Sequence, residues 1–190
     1  MKKNLITSIR MTVVTTILLG IIYPLVVTAV AQGLFHDQAN GQLIYQNGTI
    51  VGSRIIGQPF LSENYFHSRP SAAGSGYDAA NSGASNLAPT NHALIDRVNS
   101  SVAQYQSENP GQLVPIDLVT TSGSGLDPHI TPAAAEFQIP RLAKARGLSE
   151  SQLHSLVARH TEGRQFGFLG EPRVNVLELN LELDSIAPKR

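Results

Sequence analysis

The sequence predicts an α+β protein: one N-terminal transmembrane helix, then a single mixed extracytoplasmic domain of short strands and about three to four helices. Three observations predict it. Residues Met11 to Phe35 carry no charged side chain, and no second stretch like them follows. An Asn47-Gly48 pair with apolar residues on both sides marks a β-hairpin. Further along, capping residues open, and glycine or proline closes, stretches whose apolar side chains recur every three or four positions.

The charge-free stretch from 11 to 35 is long enough to cross a membrane. At about 1.5 Å per residue it reaches roughly 37 Å, against about 30 Å of hydrocarbon. Lys2, Lys3 and Arg10 precede it, and His36 and Asp37 follow it. Positive charge tends to stay inside, so residues 1–10 read as a cytoplasmic tail and 36–190 as a domain on the far side. The rival reading is a cleaved signal peptide, because Ala29-Val30-Ala31 before Gln32 resembles a small-x-small site. A signal core runs only about 7–15 residues, which favours a retained anchor. Inside the segment, Pro24 removes the usual donor to the Gly20 carbonyl and predicts a bend. Gly20 and Gly33 allow another helix to approach closely. Thr15, Thr16, Tyr23 and Thr28 supply hydroxyls either to a neighbouring helix or to their own backbone.

Composition bounds the remainder. Three of the 14 basic residues lie before the segment and all 14 acidic residues lie after it, so the domain carries a formal charge of −3. No basic stripe suggests nucleic-acid binding. The chain has no cysteine, which leaves packing to hold the domain and excludes cysteine-built zinc sites.

Leu43 to Val51 reads as the hairpin, with Ser53 to Ile56 extending the strand signal and Gly57-Gln58-Pro59 ending it. Periodicity then disappears from Ser62 to Pro89. Loops beyond about 12–15 residues are usually functional or disordered. Tyr65, Phe66 and Tyr77 favour an ordered, docked loop over 62–89. Thr90 or Asn91 caps a helix to about Ser107, with Leu94, Val98, Val102 and Tyr105 on its buried face. Val114 to Thr121 reads as a strand, and Ser122-Gly123-Ser124-Gly125 as a strand-to-helix turn. Thr131 caps a helix with Pro132 at its first position; Pro140 kinks it and Gly147 closes it. Ser149 and Gln152 form a capping box for the next helix. The final segment carries two signals. Val174, Val176, Leu177, Leu179, Leu181 and Leu183 nearly alternate with polar residues, while Asn175 and Glu178 match a capping box. A short strand leading into a terminal helix satisfies both, although 177–184 alone fits either.

No catalytic motif is present. There is no Gly-x-Ser-x-Gly elbow, no His-Glu-x-x-His helix and no Walker A loop. The six histidines are scattered, and structural roles suit them best. Asp127 suits local backbone hydrogen bonds. His67 and Arg69 in the long loop are candidates to meet acidic groups of a partner, and Arg69-Pro70 serves equally as a rigid turn.

The same loops and turns carry a resemblance. Tyr23-Pro24-Leu25, Ala39-Asn40-Gly41, Gly52-Ser53 with Ile56-Gly57-Gln58, and Tyr65-Phe66-His67-Ser68-Arg69-Pro70-Ser71 occur in order. Ser85-Asn86-Leu87, Ser124 to Pro132, Gln138-Ile139-Pro140-Arg141 and Val174 to Asn180 follow. Together they resemble the C subunit of the Kdp potassium-transporting ATPase of bacteria, from about Gly20 to Asp184. Departures are confined to the N-terminal tail, 75–80 and 159–169. The resemblance implies an accessory, non-catalytic subunit of a high-affinity potassium uptake complex, single-pass in the bacterial inner membrane. Its partners would be a channel-like potassium-binding subunit, an ATP-hydrolysing P-type subunit, a small single-helix subunit and membrane lipid. ATP and potassium would be handled by those partners rather than held here. The family is described as a catalytic chaperone that raises the ATP affinity of the hydrolysing subunit. A domain across the bilayer from the nucleotide does this by biasing conformation. Gly20, Tyr23, Pro24, Tyr65, Phe66, His67, Arg69, Asn86 and Asp127 are the candidate partner contacts. The alternative is a membrane-anchored extracytoplasmic binding module or hydrolase unrelated to transport.

Overall fold

A computed structural model describes residues 1–187 as two compact units, Met1–Leu43 and the chain from Ile44 onward. The first is a helical run of 33 residues, Lys2–Leu34, and it takes in the basic tail as well as the apolar segment. It comprises α1 (Lys2–Thr15), a π-helical stretch (Thr16–Ile22) and α2 (Tyr23–Leu34). None of its apolar window is buried within the chain. Pro24 explains the π stretch. It lacks an N–H, and just upstream of it the Tyr23 N–H reaches back five residues to the Leu18 carbonyl. The bend expected at Pro24 is thus met by a widened turn, and the helix runs on. Thr15 Oγ1 donates to the Met11 carbonyl at 2.9 Å, so this hydroxyl serves its own backbone. Phe35 breaks the helix, and α3 (His36–Ala39) follows. Asn40 ties the exit by donating to the Gln32 side chain (3.1 Å) and the His36 carbonyl (2.6 Å).

β1 (Leu43–Gln46), which starts at the last residue of the first unit, and β2 (Thr49–Ser53) form the expected hairpin. Asn47 and Gly48 take φ of 50° and 79°, as a type I′ turn demands. The strand stops at Ser53 rather than extending to Ile56, because the Ser53 hydroxyl accepts from Ile55 N–H and turns the chain. Gly57 then passes so close to the 126–127 backbone that a Cβ there would lie 2.7 Å from the Asp127 carbonyl oxygen.

A small antiparallel sheet, in the order β3-β5-β4, lies at the centre. It joins β3 (His129–Ile130), β5 (Arg173–Asn175) and β4 (Thr161–Glu162), with Val174 facing both Ile130 and Thr161. Helices cover it: α4 (His92–Glu108), α5 (Pro132–Phe137), α6 (Ile139–Arg146), α7 (Glu150–Arg159) and α8 (Val176–Ile186). Phe66, Leu118, Ile139, Leu142, Leu153, Leu156, Val174, Leu179 and Leu183 make one core.

Most local signals hold. Asn91 caps α4, Thr131 caps α5, a reciprocal Ser149–Gln152 box caps α7, and Gly147 ends α6 in the left-handed region. On α4, Tyr105 is buried, with Val98 and Val102 packed against the core. The helix expected to kink at Pro140 divides instead into α5 and α6 at Gln138, since Pro140 enters as the second residue of a new helix. Asn175 caps α8 and β5 leads directly into it, which decides the ambiguous terminal segment. Only half of the expected Asn175–Glu178 box forms. Glu178 instead pairs with Arg54 at 2.6 Å.

Residues 114–121 correct the sequence reading. They form no strand; Ile116–Leu118 is a single 3₁₀ turn after Pro115. Leu118 and Val119 are buried, and Ile116 is exposed. The buried Asp117 between them accepts the Thr131 N–H at 2.8 Å, an arrangement that apolar alternation cannot express. Residues 122–125 therefore link this turn to β3 rather than a strand to a helix.

Candidate functional site

The Ser62–Pro89 loop runs without strands, with one 3₁₀ turn at Ala79–Asn81. Its buried backbone needs partners from elsewhere. Phe66 is fully buried, and Asn180 of α8 serves it as a strand would. The Asn180 carbonyl accepts the Phe66 N–H and its amide donates to the Phe66 carbonyl, both at 2.9 Å. Gln138, at the α5–α6 break, repeats the arrangement one residue on. It accepts the His67 N–H at 2.7 Å and donates to the His67 carbonyl at 3.2 Å. Arg141 donates to the carbonyls of Glu63 and Tyr65. Arg146 donates to the Asn64 carbonyl (2.7 Å) and to Asp184 (2.7 Å), and its guanidinium lies 4.9 Å over the Tyr65 ring. The Tyr65 hydroxyl donates to Asp184 as well, at 2.7 Å.

The middle of the loop docks on the 122–127 turn. Ser71 donates to the Gly125 carbonyl at 2.6 Å, and Gly83 N–H to the Ser124 carbonyl at 2.9 Å. Gly125 has φ of 69° and sits 2.7 Å, measured from where a Cβ would be, from Ala73 N and the Gly83 carbonyl oxygen. Only glycine fits there. Arg69 is the electrostatic hub. It lies 3.4 Å from Asp127 and 3.7 Å from Asp117, and it also donates to Thr120.

Protonation follows this geometry. Burial, with the Arg141 charge nearby, lowers His67 from 6.5 to about 4, so it is neutral at physiological pH. Burial alone would raise Asp127, but hydrogen bonds from His129 and the Arg69 charge hold it below the usual carboxylate value. Burial raises the Tyr77 phenol, whose O–H donates to the Arg69 carbonyl.

Between the loop and α4 lies a cleft of about 440 Å³ walled by Phe60, His67, Arg69, Tyr77, Ser101 and Tyr105. Three of its hydroxyls are occupied structurally: Ser68 donates to the Gln58 carbonyl, Ser71 to the Gly125 carbonyl and Tyr77 to the Arg69 carbonyl. His67 Nε2 faces the Ser62 carbonyl at 3.1 Å rather than a serine hydroxyl. Among the described residues, no group of three or more His, Cys, Asp or Glu side chains is placed to hold a metal ion.

The structure thus gathers Tyr65, Phe66, His67 and Arg69 on one docked segment and brings Asp127 to them. Phe66 is an anchor with no exposed surface, and neutral His67 offers no cation to an acidic partner. Asn86 is exposed with φ of 50°, farther along the loop. Gly20, Tyr23 and Pro24 belong to the first unit, where Tyr23 is 62% exposed. The sequence reading overlooked Gln138, Asn180, Asp117, Arg141 and Arg146. Gln138, Arg141 and Asn180 stand within the family signatures without an assigned contact, and Asn180 between Leu179 and Leu183 carries a further signal, a polar side chain on an otherwise apolar helix face.

The family model described as "K+-transporting ATPase, c chain", or KdpC, matches residues 5–185. The chain belongs to the KdpC family. Among curated relatives, the "Potassium-transporting ATPase KdpC subunit" of Koribacter versatilis is 66% identical, covering 99% of this chain and 97% of its own. The protein of the same name from Acidobacterium capsulatum is 56% identical over 96% and 98% of the two chains. That from Rhodopseudomonas palustris is 53% identical over 97% and 99%. The resemblance carried by the loop and turn residues is therefore correct. Among the described residues, the pinned loop and one helix long and apolar enough to cross a membrane are this chain's most distinctive features.

Proposed function

We propose that this chain is the accessory subunit of an ATP-driven potassium uptake complex, anchored once in the membrane with residues 36–190 outside the cytoplasm. The observation that carries the reading is near-complete coverage by a family whose curated relatives are named as potassium-transporting ATPase subunits. The long apolar helix Lys2–Leu34, with Lys2, Lys3 and Arg10 at its N-terminal end, supports the orientation. The chain itself performs no hydrolysis. It accompanies a channel-like potassium-binding subunit, a P-type ATP-hydrolysing subunit and a small single-helix subunit. Its domain braces the outer face of the potassium-binding subunit, using the docked 62–89 loop, while the helix packs in the membrane around Gly20, Tyr23 and Pro24.

A domain outside reaches the nucleotide only through conformation. By binding one pump state better than another it raises ATP affinity reciprocally, and a coupling of about 1–3 kcal/mol corresponds to roughly 5–150-fold. This accounts for a catalytic-chaperone role without a nucleotide site. Rigidity supports it, because a brace transmits bias only if its contact loop is fixed, and Asn180, Gln138, Arg141 and Arg146 fix this one.

Two measurements test the proposal. The chain has no cysteine, so Ser8→Cys and Ser155→Cys, both at exposed positions, give single labels. In intact cells or spheroplasts an impermeant maleimide should label position 155 and spare position 8; the opposite pattern overturns the orientation. Affinity purification from membranes should recover a large ATPase and a channel-like protein with the chain. Recovery of a solitary, hydrolytically active protein would support the tethered-hydrolase alternative instead.

A further inference from the structure

Strands β4 and β5 are short, but the chain between them continues as a narrow arm. At its base Glu162 and Arg173 are register partners and pair at 2.8 Å. Further out Arg164 pairs with Glu171 at 2.6 Å, and Gln165 bridges Leu169. The root is fixed in the core by the fully buried Val174. The tip is bare: Phe166 is 88% exposed, Phe168 72% and Leu169 47%.

We infer that this tip is a preformed plug for an apolar pocket on another polypeptide of the complex. Three features carry the inference. First, the tip is ready to lose water. The N–H groups of Gln165, Gly167, Phe168 and Leu169 all donate within the arm, so burying them leaves none of these donors unpaired. Second, its shape is imposed. Phe166 sits at φ of 52°, where a bulky side chain is disfavoured, so two rings are held out at a conformational cost that packing within this chain does not repay. Third, area and charge select the occupant. The two rings and Leu169 expose roughly 400 Å², about half of what each side of a stable interface needs, so tip-to-tip association of two copies falls short. A partner tethered to the same membrane needs less, because tethering raises its effective concentration. Loops that insert into anionic bilayers carry free basic residues, whereas Arg164 and Arg173 are each matched by a carboxylate. A protein pocket fits these features best.

The inference rests on the chain working inside a multi-subunit complex, and the test separates the two readings. A photo-crosslinking phenylalanine analogue placed at Phe166 in the membrane-embedded complex should join the chain to a different polypeptide. Crosslinking only to lipid or to a second copy overturns the plug. In the purified complex, Phe166→Ser with Phe168→Ser should speed loss of the chain at least about tenfold, as removal of an aromatic anchor does. The melting temperature of the isolated chain should stay unchanged, since both rings are exposed. If the double variant is retained as well as the parent, the plug is wrong. If even the parent recovers no other polypeptide, the complex itself is wrong.

Discussion

Asn180→Leu should destabilise the domain through the loop and not through the core. Leucine keeps asparagine's four side-chain heavy atoms and its branch at Cγ, and the site is 1% exposed among apolar neighbours. What disappears is the pair of hydrogen bonds that satisfy both backbone groups of Phe66. Each buried group left unpaired costs about 1–3 kcal/mol, and the added apolar burial returns part of that. A net loss of about 3 kcal/mol follows, or roughly 6–12 °C in melting temperature for a chain of this size. The assay is thermal unfolding of the full-length chain in detergent by near-UV circular dichroism. With no tryptophan, the signal comes from five tyrosines and six phenylalanines. Hydrogen exchange adds a local readout, in which the Phe66 amide should lose protection before the amides of α7. A loss below about 1 kcal/mol with Phe66 still protected would refute the view that side-chain amides replace a strand here.

Other perturbations probe other contacts. His67 has its folded pKa lowered from 6.5 to about 4, so the unfolded chain binds the proton first and stability falls as pH drops through that window. Allowing for its partial exposure, the loss is about 1–2 kcal/mol, and His67→Gln should remove that part of the pH dependence of unfolding. Gly57→Ala places a methyl 2.7 Å from the Asp127 carbonyl oxygen, so about 1–3 kcal/mol should be lost in a denaturant titration. Pro24→Leu restores the missing N–H and removes the reason for the π stretch. Recovery of the complex from membranes should fall several-fold while the domain melts as before; full recovery would mean that the widened turn is not a packing feature.

The electrostatic hub changes how one obvious variant is read. Charge reversal at Arg69 sets a third carboxylate beside Asp117 and Asp127, and Asp117 is only 6% exposed. Such a variant loses stability by itself, since breaking a buried pair strands the remaining charge. Weakened assembly would then report on the fold of this chain as much as on a partner. Asn86, exposed and outside the hub, is the cleaner probe of the loop surface.

The sequence alone determined the features whose causes lie within one turn of chain. The Asn47-Gly48 turn, the caps at Thr131 and Ser149 and the stop at Gly147 depend on residues a few positions apart, and they stand where the pattern put them. Of the two cap candidates for α4 the structure uses Asn91, and the helix that holds the charge-free stretch starts earlier, at Lys2. The ordered signatures from Tyr23 to Asn180 also sufficed to place the chain in its family. Tertiary structure decided whatever needed a distant partner. Residues 114–121 look strand-like, yet Asp117 is drawn inward by Thr131 and Arg69. Gln138 and Asn180 look like flaws on apolar helix faces, yet they hydrogen-bond His67 and Phe66 across 71 and 114 positions of chain. Apolar periodicity records which face is buried. It carries no record of which buried polar group will meet which backbone, because that pairing exists only once the core has closed around it.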